Sequence, residues 1–243
     1  MSVFIIAEAG INMNGRLDHA LALVAAAKKA GADAVKFQGF SPTELSPLNW
    51  EKRALLKGLW MSPEEMEMLA AECRHKQIEF MCTPMGMGWL ETLMHPKYGM
   101  KRIKIGSAQV KDRAFIAAVA ACKLPVIISN GMCIPAEFDV AMKILGAHDI
   151  DVTPLSCVSK YPTPDVDMSL DDMFCLKMNY GRAGFSSHCR SFWPSVAAAY
   201  AGATVIEQHI CLPGTTGPDI SSSLLPGEFQ AMVREIRVAD GSR

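Results

Sequence analysis

The sequence predicts an α/β fold, the (β/α)8 or TIM barrel, with residues 1–243 forming a single domain. Short apolar runs rich in β-branched residues alternate eight times with runs of helical spacing. Alternation with short connections argues for a parallel sheet. No G-x-G-x-x-G follows the first strand, which disfavours an open doubly wound sheet.

The first strand is Val3–Ala7, ending in Glu8 and the turn residues Gly10, Asn12, Asn14 and Gly15. It lacks a basic leader and carries Glu8, so it is not read as a signal peptide. Leu17 to Ala30 is a helix, because Leu17, Ala20, Leu21, Val24 and Ala27 form one apolar stripe before Gly31 stops it. Ala34–Phe37 is the second strand and carries Lys36. A long loop containing Pro42, Pro47 and Trp50 is expected next. Ser62-Pro63-Glu64-Glu65 is a capping box with proline at the first helical position, and its helix runs to about Lys76. Ile78–Cys82 is the third strand, ending at Thr83-Pro84; a short helix around Met87–Met94 leads to strand four, Arg102–Ile105. Lys104 shares a face with Arg102, while Ile103 and Ile105 face the helices.

The alternation continues with a helix at Phe115–Cys122 and a strand at Pro125–Ile128 leading to Ser129-Asn130-Gly131. Helix Pro135–Leu145, strand Val152–Leu155 and helix Ser169–Met178 follow. Ala183–Phe185 is a short strand ending in Ser186-Ser187-His188, and Ser195–Ala201 is helical up to Gly202. Thr204–His209 is the last strand; alternation places Val205, Glu207 and His209 on one face. Glu228–Val238 is the closing helix.

Half the residues are hydrophobic, a fifth are charged, and the net charge is −1. No broad basic field therefore argues for nucleic acid or a membrane surface, and any anion must be held by a few placed groups. No apolar run approaches the ~20 residues of a membrane span. The eight cysteines form no Cys-x-x-Cys pair, which fits a reducing cytoplasm better than a disulfide framework or a zinc ribbon.

Barrel sites lie at the C-terminal ends of the strands. Glu8, Lys36, Thr83, Lys104, Ser129, Ser156, Ser186, His188, Glu207 and His209 fall there. Two lysines in one mouth, with several hydroxyls, make a site for phosphate or carboxylate. His188 and His209 end adjacent strands ~4.8 Å apart, within reach of one metal. No third protein ligand is evident, so water or substrate would complete the shell, an arrangement suited to Lewis-acid catalysis. Imidazole with oxygen ligands fits Mn2+, with other divalent ions open. Glu8 and Glu207 are proton-transfer candidates, with salt bridges to the lysines as the alternative.

IIAEAGIN with NG at 14–15, GADAVKFQ at 31–38, TP at 83–84, KIGS at 104–107, SNGM at 129–132, CVSKYPTP at 157–164, VIEQH at 205–209 and GPD at 217–219 together resemble the sialic acid (N-acetylneuraminate) synthases, in order and over nearly the whole chain. That family condenses phosphoenolpyruvate with an N-acyl amino sugar, typically N-acetylmannosamine, on a (β/α)8 barrel and releases phosphate. The resemblance implies phosphoenolpyruvate contacts from Lys36, Thr83, Lys104, Ser107, Ser129 and Ser186, and a metal, usually manganese, on His188 and His209. It implies acid–base roles for Glu8 and Glu207, with Lys104 also at the reacting centre, and sugar contacts from Tyr161 and Asp219. It also implies a homodimer.

The departures fall on the sugar side. Met13 stands where the family has His, Gln109 where it has an acidic residue, Ser187 where it has Asp, and Ser159 where it has Asn. As the chain stops at Arg243, the expectation is that it lacks the C-terminal antifreeze-like domain that in the resembled family covers the partner subunit's sugar site. The expectation is a synthase of a sialic-acid-like ulosonic acid acting on phosphoenolpyruvate and an aldose, with a separate chain as one way to complete the sugar site. The alternatives are a barrel that binds phosphoenolpyruvate and metal without sugar chemistry, and a Schiff-base aldolase on Lys104 or Lys36.

Overall fold

A computed structural model describes residues 2–45 and 49–241. Eight parallel strands run β1 (Phe4–Gly10), β2 (Ala34–Gly39), β3 (Glu79–Pro84), β4 (Ile103–Ile105), β5 (Val126–Ser129), β6 (Val152–Cys157), β7 (Gly184–Ser187) and β8 (Val205–His209). Their hydrogen-bonded order is β3-β2-β1-β8-β7-β6-β5-β4, and β3 packs beside β4, so the sheet curls into a nearly closed barrel. The helices are α1 (Leu17–Ala30), α2 (Pro42–Leu45), α3 (Trp50–Lys57), α4 (Pro63–Lys76), α5 (Met87–Leu93), α6 (Arg113–Ala121), α7 (Pro135–Gly146), α8 (Leu170–Tyr180), α9 (Trp193–Tyr200) and α10 (Pro226–Gly241).

Side-chain alternation divides the barrel into two cores. Ile5, Ala7, Val35, Phe37, Ile103, Ile105, Ile128 and Ile206 point outward and pack with the helices. Ile6, Ala34, Met81, Ile127, Leu155 and Val205 point inward and fill the barrel's middle. Gly184 belongs to that inner layer: a Cβ there would lie 2.5 Å from both Leu155 Cδ2 and Val205 O. Beneath it, Arg102 stacks 4.1 Å over the Phe4 ring and pairs with Glu79 at 2.7 Å, closing the floor. The same alternation lifts the next inward residues, Glu8, Lys36, Thr83, Lys104, Ser129, Cys157, Ser186 and Glu207, toward the C-terminal mouth.

Local chemistry sets the element ends. Ser62 accepts from Glu65 N–H while the Glu65 carboxylate accepts from Ser62 N–H, so the predicted capping box opens α4. The stretch expected to be a long loop contains α2 and α3 instead. Pro42 opens α2, where its missing N–H costs nothing, and Asn49 caps α3 by accepting from Lys52 N–H at 2.8 Å. Pro47 lies outside the described residues. Strands β3, β6 and β7 each run two residues beyond their predicted ends, because the parallel ladder continues to Gly39↔Pro84, Cys157↔Ser186 and Ser187↔Gln208.

Below the barrel, α10 packs on α1 and α9 and ties down the first strand. Asp240 accepts from Val3 N–H at 2.9 Å, and Arg237 pairs with Asp33, whose carboxylate also accepts from Ile5 N–H. Among the described residues, no helix is long and apolar enough to cross a membrane.

Candidate active site

A cavity of about 280 Å3 opens at the C-terminal end of the barrel. Its lining includes every residue assigned to the site from sequence: Glu8, Lys36, Thr83, Lys104, Ser107, Gln109, Ser129, Tyr161, Ser186, His188, Glu207, His209 and Asp219. These come from seven of the eight strands and from the loops after β4, β6, β7 and β8, so the site exists only once the ring is assembled. Ser156, counted among the strand-end polar groups, is the exception. It sits between inward Leu155 and inward Cys157 and therefore turns to the helix side.

Four ionisable groups form the floor. Lys36 Nζ lies 2.7 Å from Glu8 and 3.6 Å from Glu207, and donates to Thr83 Oγ1 at 3.1 Å. Lys104 Nζ lies 3.7 Å from Glu207 and donates to Ser129 Oγ at 2.8 Å and to Ile105 O at 3.2 Å. Glu207 also accepts from Ser186 Oγ at 3.0 Å, and Glu8 from Gln38 Nε2 at 3.1 Å. All four are buried. The salt-bridge reading of the two glutamates therefore holds, and an anion entering the floor must compete with carboxylates for the ammonium groups.

Burial disfavours each charge, and the neighbours decide which charges survive. Burial would raise Glu207, but Lys104 and Lys36 outweigh it and hold the carboxylate below its ordinary value. Glu8 goes the other way: burial raises it, Lys36 opposes, and Glu207 adds to the rise. Burial would lower Lys36, but Glu207 and Glu8 raise it on balance. Lys104 is lowered by burial, with Glu207 only partly offsetting. The floor thus holds one carboxylate shifted down and one shifted up from the ordinary value, and two lysines shifted in opposite directions.

Above the floor, the His188 and His209 rings lie 5.4 Å apart, and the Tyr161 ring packs 4.0 Å from that of His188. His188 Nδ1 is 2.8 Å from Val158 O, a contact that needs a proton on Nδ1 and so leaves Nε2 with a free lone pair. His209 Nδ1 is buried without a hydrogen-bond partner, 3.9 Å from Asp219 Oδ2. Burial lowers both imidazoles, His209 strongly, which keeps them neutral as metal ligation requires. Among the described residues, no cluster of three or more His, Cys, Asp and Glu could hold a metal. With His209 Nδ1 left without a partner, the two imidazoles could take a divalent ion only as an open pair, with the remaining positions left to water or substrate. Burial raises Asp219 to about 6.

Several lining residues were not assigned a role from sequence: Gln38, Cys157, Met85 and Met132 among them. Gln38 was visible as sharing the Lys36 face. Cys157 follows from alternation once β6 is known to run past Leu155. Met85 and Met132 stand on loops, where no periodicity marks them.

The sequence model of the NeuB family matches residues 23–242. The chain is 34% identical over 261 residues to the N,N'-diacetyllegionaminic acid synthase of Legionella pneumophila, covering 99% of this chain and 73% of that protein. It is 32% identical over 256 residues to the pseudaminic acid synthase of Campylobacter jejuni, covering 99% and 74%. Among solved structures, the N-acetylneuraminic acid (sialic acid) synthetase of Leptospira borgpetersenii in complex with citrate superposes with a TM-score of 0.94 at 30% identity, covering 100% of this chain and 85% of that one. A truncated 3-deoxy-D-arabino-heptulosonate 7-phosphate synthase of Thermotoga maritima shares the fold, with a TM-score of 0.74 at 13% identity, covering 99% and 88%.

Proposed function

Because the chain belongs to the NeuB family, we propose that it condenses phosphoenolpyruvate with an N-acyl amino sugar or a related aldose, giving a sialic-acid-like ulosonic acid and phosphate. The observation that carries this reading is the pairing of two buried lysines, ringed by hydroxyls, with two neutral imidazoles in one cavity. The first set suits an anion with two acidic groups, and the second suits a Lewis acid beside it.

In this reading Lys36 and Lys104, with Thr83, Ser107, Ser129 and Ser186, hold the carboxylate and phosphate of phosphoenolpyruvate. His188 and His209 would hold a divalent ion, manganese by donor chemistry, which supplies Lewis acidity for the aldehyde oxygen of the acceptor. The methylene carbon of phosphoenolpyruvate attacks the aldehyde carbon; water then adds at the carbon bearing phosphate, and the C–O bond to phosphate breaks. Glu8 is the carboxyl group able to carry a proton toward the aldehyde oxygen, and ionised Glu207 the base able to take one from the adding water. Tyr161, Asp219 and Gln109 line the acceptor side. The reading takes residues 1–243 as one catalytic barrel, in the cytoplasm and as a homodimer; the free cysteines accord with that compartment.

The test is phosphate release by the purified chain with phosphoenolpyruvate, Mn2+ and a panel of aldoses. Release that requires both phosphoenolpyruvate and an aldose is expected. Binding of phosphoenolpyruvate without release from any aldose would replace the synthase by a binding module. One observation favours a second reading: burial lowers Lys104, as a Schiff-base lysine needs. Borohydride trapping with pyruvate would reveal it.

A further inference from the structure

The parallel ladder between β7 and β8 ends at Ser187↔Gln208. His188 and His209 are the next residues along the two chains, so the imidazole pair stands one step past the last rung. On the β8 side the backbone stays fixed: Ile210 N–H donates to Glu8 O, and His209 O accepts from Leu224 N–H, both at 2.9 Å. The β7 chain instead turns away, with Cys189 N–H bonded back to Ser187 Oγ at 3.2 Å.

The side chain of Gln208 spans that gap. It lies between two inward residues, Glu207 and His209, and so points to the helix side, where it is fully buried. Its Nε2 donates to Cys189 O at 3.1 Å and to Ser222 O at 3.4 Å, and its Oε1 accepts from Ser195 Oγ at 3.0 Å. Both donors and the acceptor of the carboxamide are thus engaged. The first bond holds the residue that follows His188. The second holds the single turn Ile220–Ser222, in which Ser222 N–H donates to Asp219 O at 3.1 Å. The third reaches only α9.

Resting on the reading of His188 and His209 as metal ligands, we propose that Gln208 is a positioning residue for the imidazole pair. It touches neither the ion nor substrate. Its carboxamide replaces the missing rung and so fixes how far His188 stands from His209. His188 Nδ1 is already held at Val158 O, so the place of that ring depends on its backbone. Two protein ligands bind an ion usefully only when they are held in place before it arrives.

The probe is Mn2+ alone, titrated into the wild-type chain, the near-isosteric Gln208→Met and Ser195→Ala, with free Mn2+ read by electron paramagnetic resonance. Both variants lose buried hydrogen bonds and should lower the urea midpoint. Only Gln208→Met releases Cys189, so its Kd for Mn2+ should rise roughly tenfold or more, while that of Ser195→Ala stays within twofold. Phosphoenolpyruvate affinity without metal should stay within twofold in both, because the lysine floor is untouched. Should Gln208→Met not fold, Gln208→Asn, whose amide is one methylene too short to reach Cys189 O, takes its place with the same expectation. Wild-type Mn2+ affinity in the Gln208 variant, an equal loss in Ser195→Ala, or a matching loss of phosphoenolpyruvate affinity overturns the proposal and leaves the metal reading standing. A folded wild-type chain that binds no Mn2+ removes the metal reading, and the proposal with it.

Discussion

Replacing Glu207 by Gln keeps the shape of the side chain and its bond from Ser186 but removes one charge from a buried set of four. Glu207 lies 3.6 Å from Lys36 and 3.7 Å from Lys104. At an effective dielectric of about 20, each contact is worth roughly 4.5 kcal/mol before desolvation. Most of that gross attraction offsets burial, and removing one partner of a buried pair costs about 3–5 kcal/mol net. Glu8 then remains to compensate both ammonium groups. For a chain of this size the loss corresponds to roughly 6–20 °C in Tm. The lysines hold Glu207 below its ordinary 4.5 despite burial, so its contribution is complete above that value and fades as pH falls through the depressed folded pKa. Thermal and urea melts of wild type and Glu207→Gln should therefore differ by a constant margin from pH 7.5 to 5, and converge only below about 4.5. Phosphoenolpyruvate should also raise the variant's Tm by more than it raises that of the wild type, because the anion no longer competes with Glu207 for the lysines. A variant as stable as the wild type, or a margin that widens on acidification, would refute this account of the floor.

Lys36→Met and Lys104→Met should each weaken phosphoenolpyruvate binding by about 1.5–3 kcal/mol in titration calorimetry; unchanged affinity in both would put the anion elsewhere. His188→Ala and His209→Ala should each lose bound Mn2+ in equilibrium dialysis while keeping a wild-type circular dichroism spectrum, and full stoichiometry in both would dismiss the imidazole pair. Gly184→Ala forces a methyl group into Leu155 and the Val205 carbonyl. It should cost about 1–3 kcal/mol by overpacking, read as a lower urea midpoint, and a neutral effect would mean that the inner layer is looser than the contacts imply.

Alternation made much of the site legible. On β2 and β8 a polar residue breaks an apolar run at its C-terminal end, so the inward placement of Lys36, Glu207 and His209 follows from the period of two. The α4 start was legible because Ser62 and Glu65 satisfy each other locally, with no need of the rest of the fold. The segment from Pro42 to Lys57 was not, because two prolines outweighed the helix formers of α3 and the Asn49 cap. The strand ends of β3, β6 and β7 depend on a neighbouring ladder, and ladder partners are not written in either strand alone. For the same reason Ser156 looked available when register turns it outward. The ion pairing of the floor could be stated only as an alternative: Glu8, Lys36 and Glu207 are far apart in sequence, and their separations appear when the ring closes.

The knot beneath the barrel has a geometric consequence. Val3 meets Asp240, so the two ends of the described chain lie together on the face opposite the cavity. A seven-residue strand such as β1 rises roughly 23 Å at ~3.3 Å per residue. Any tether attached at either end would need about seven extended residues merely to climb the wall before it touched the mouth. An affinity tag or surface anchor at either end would leave the entrance clear.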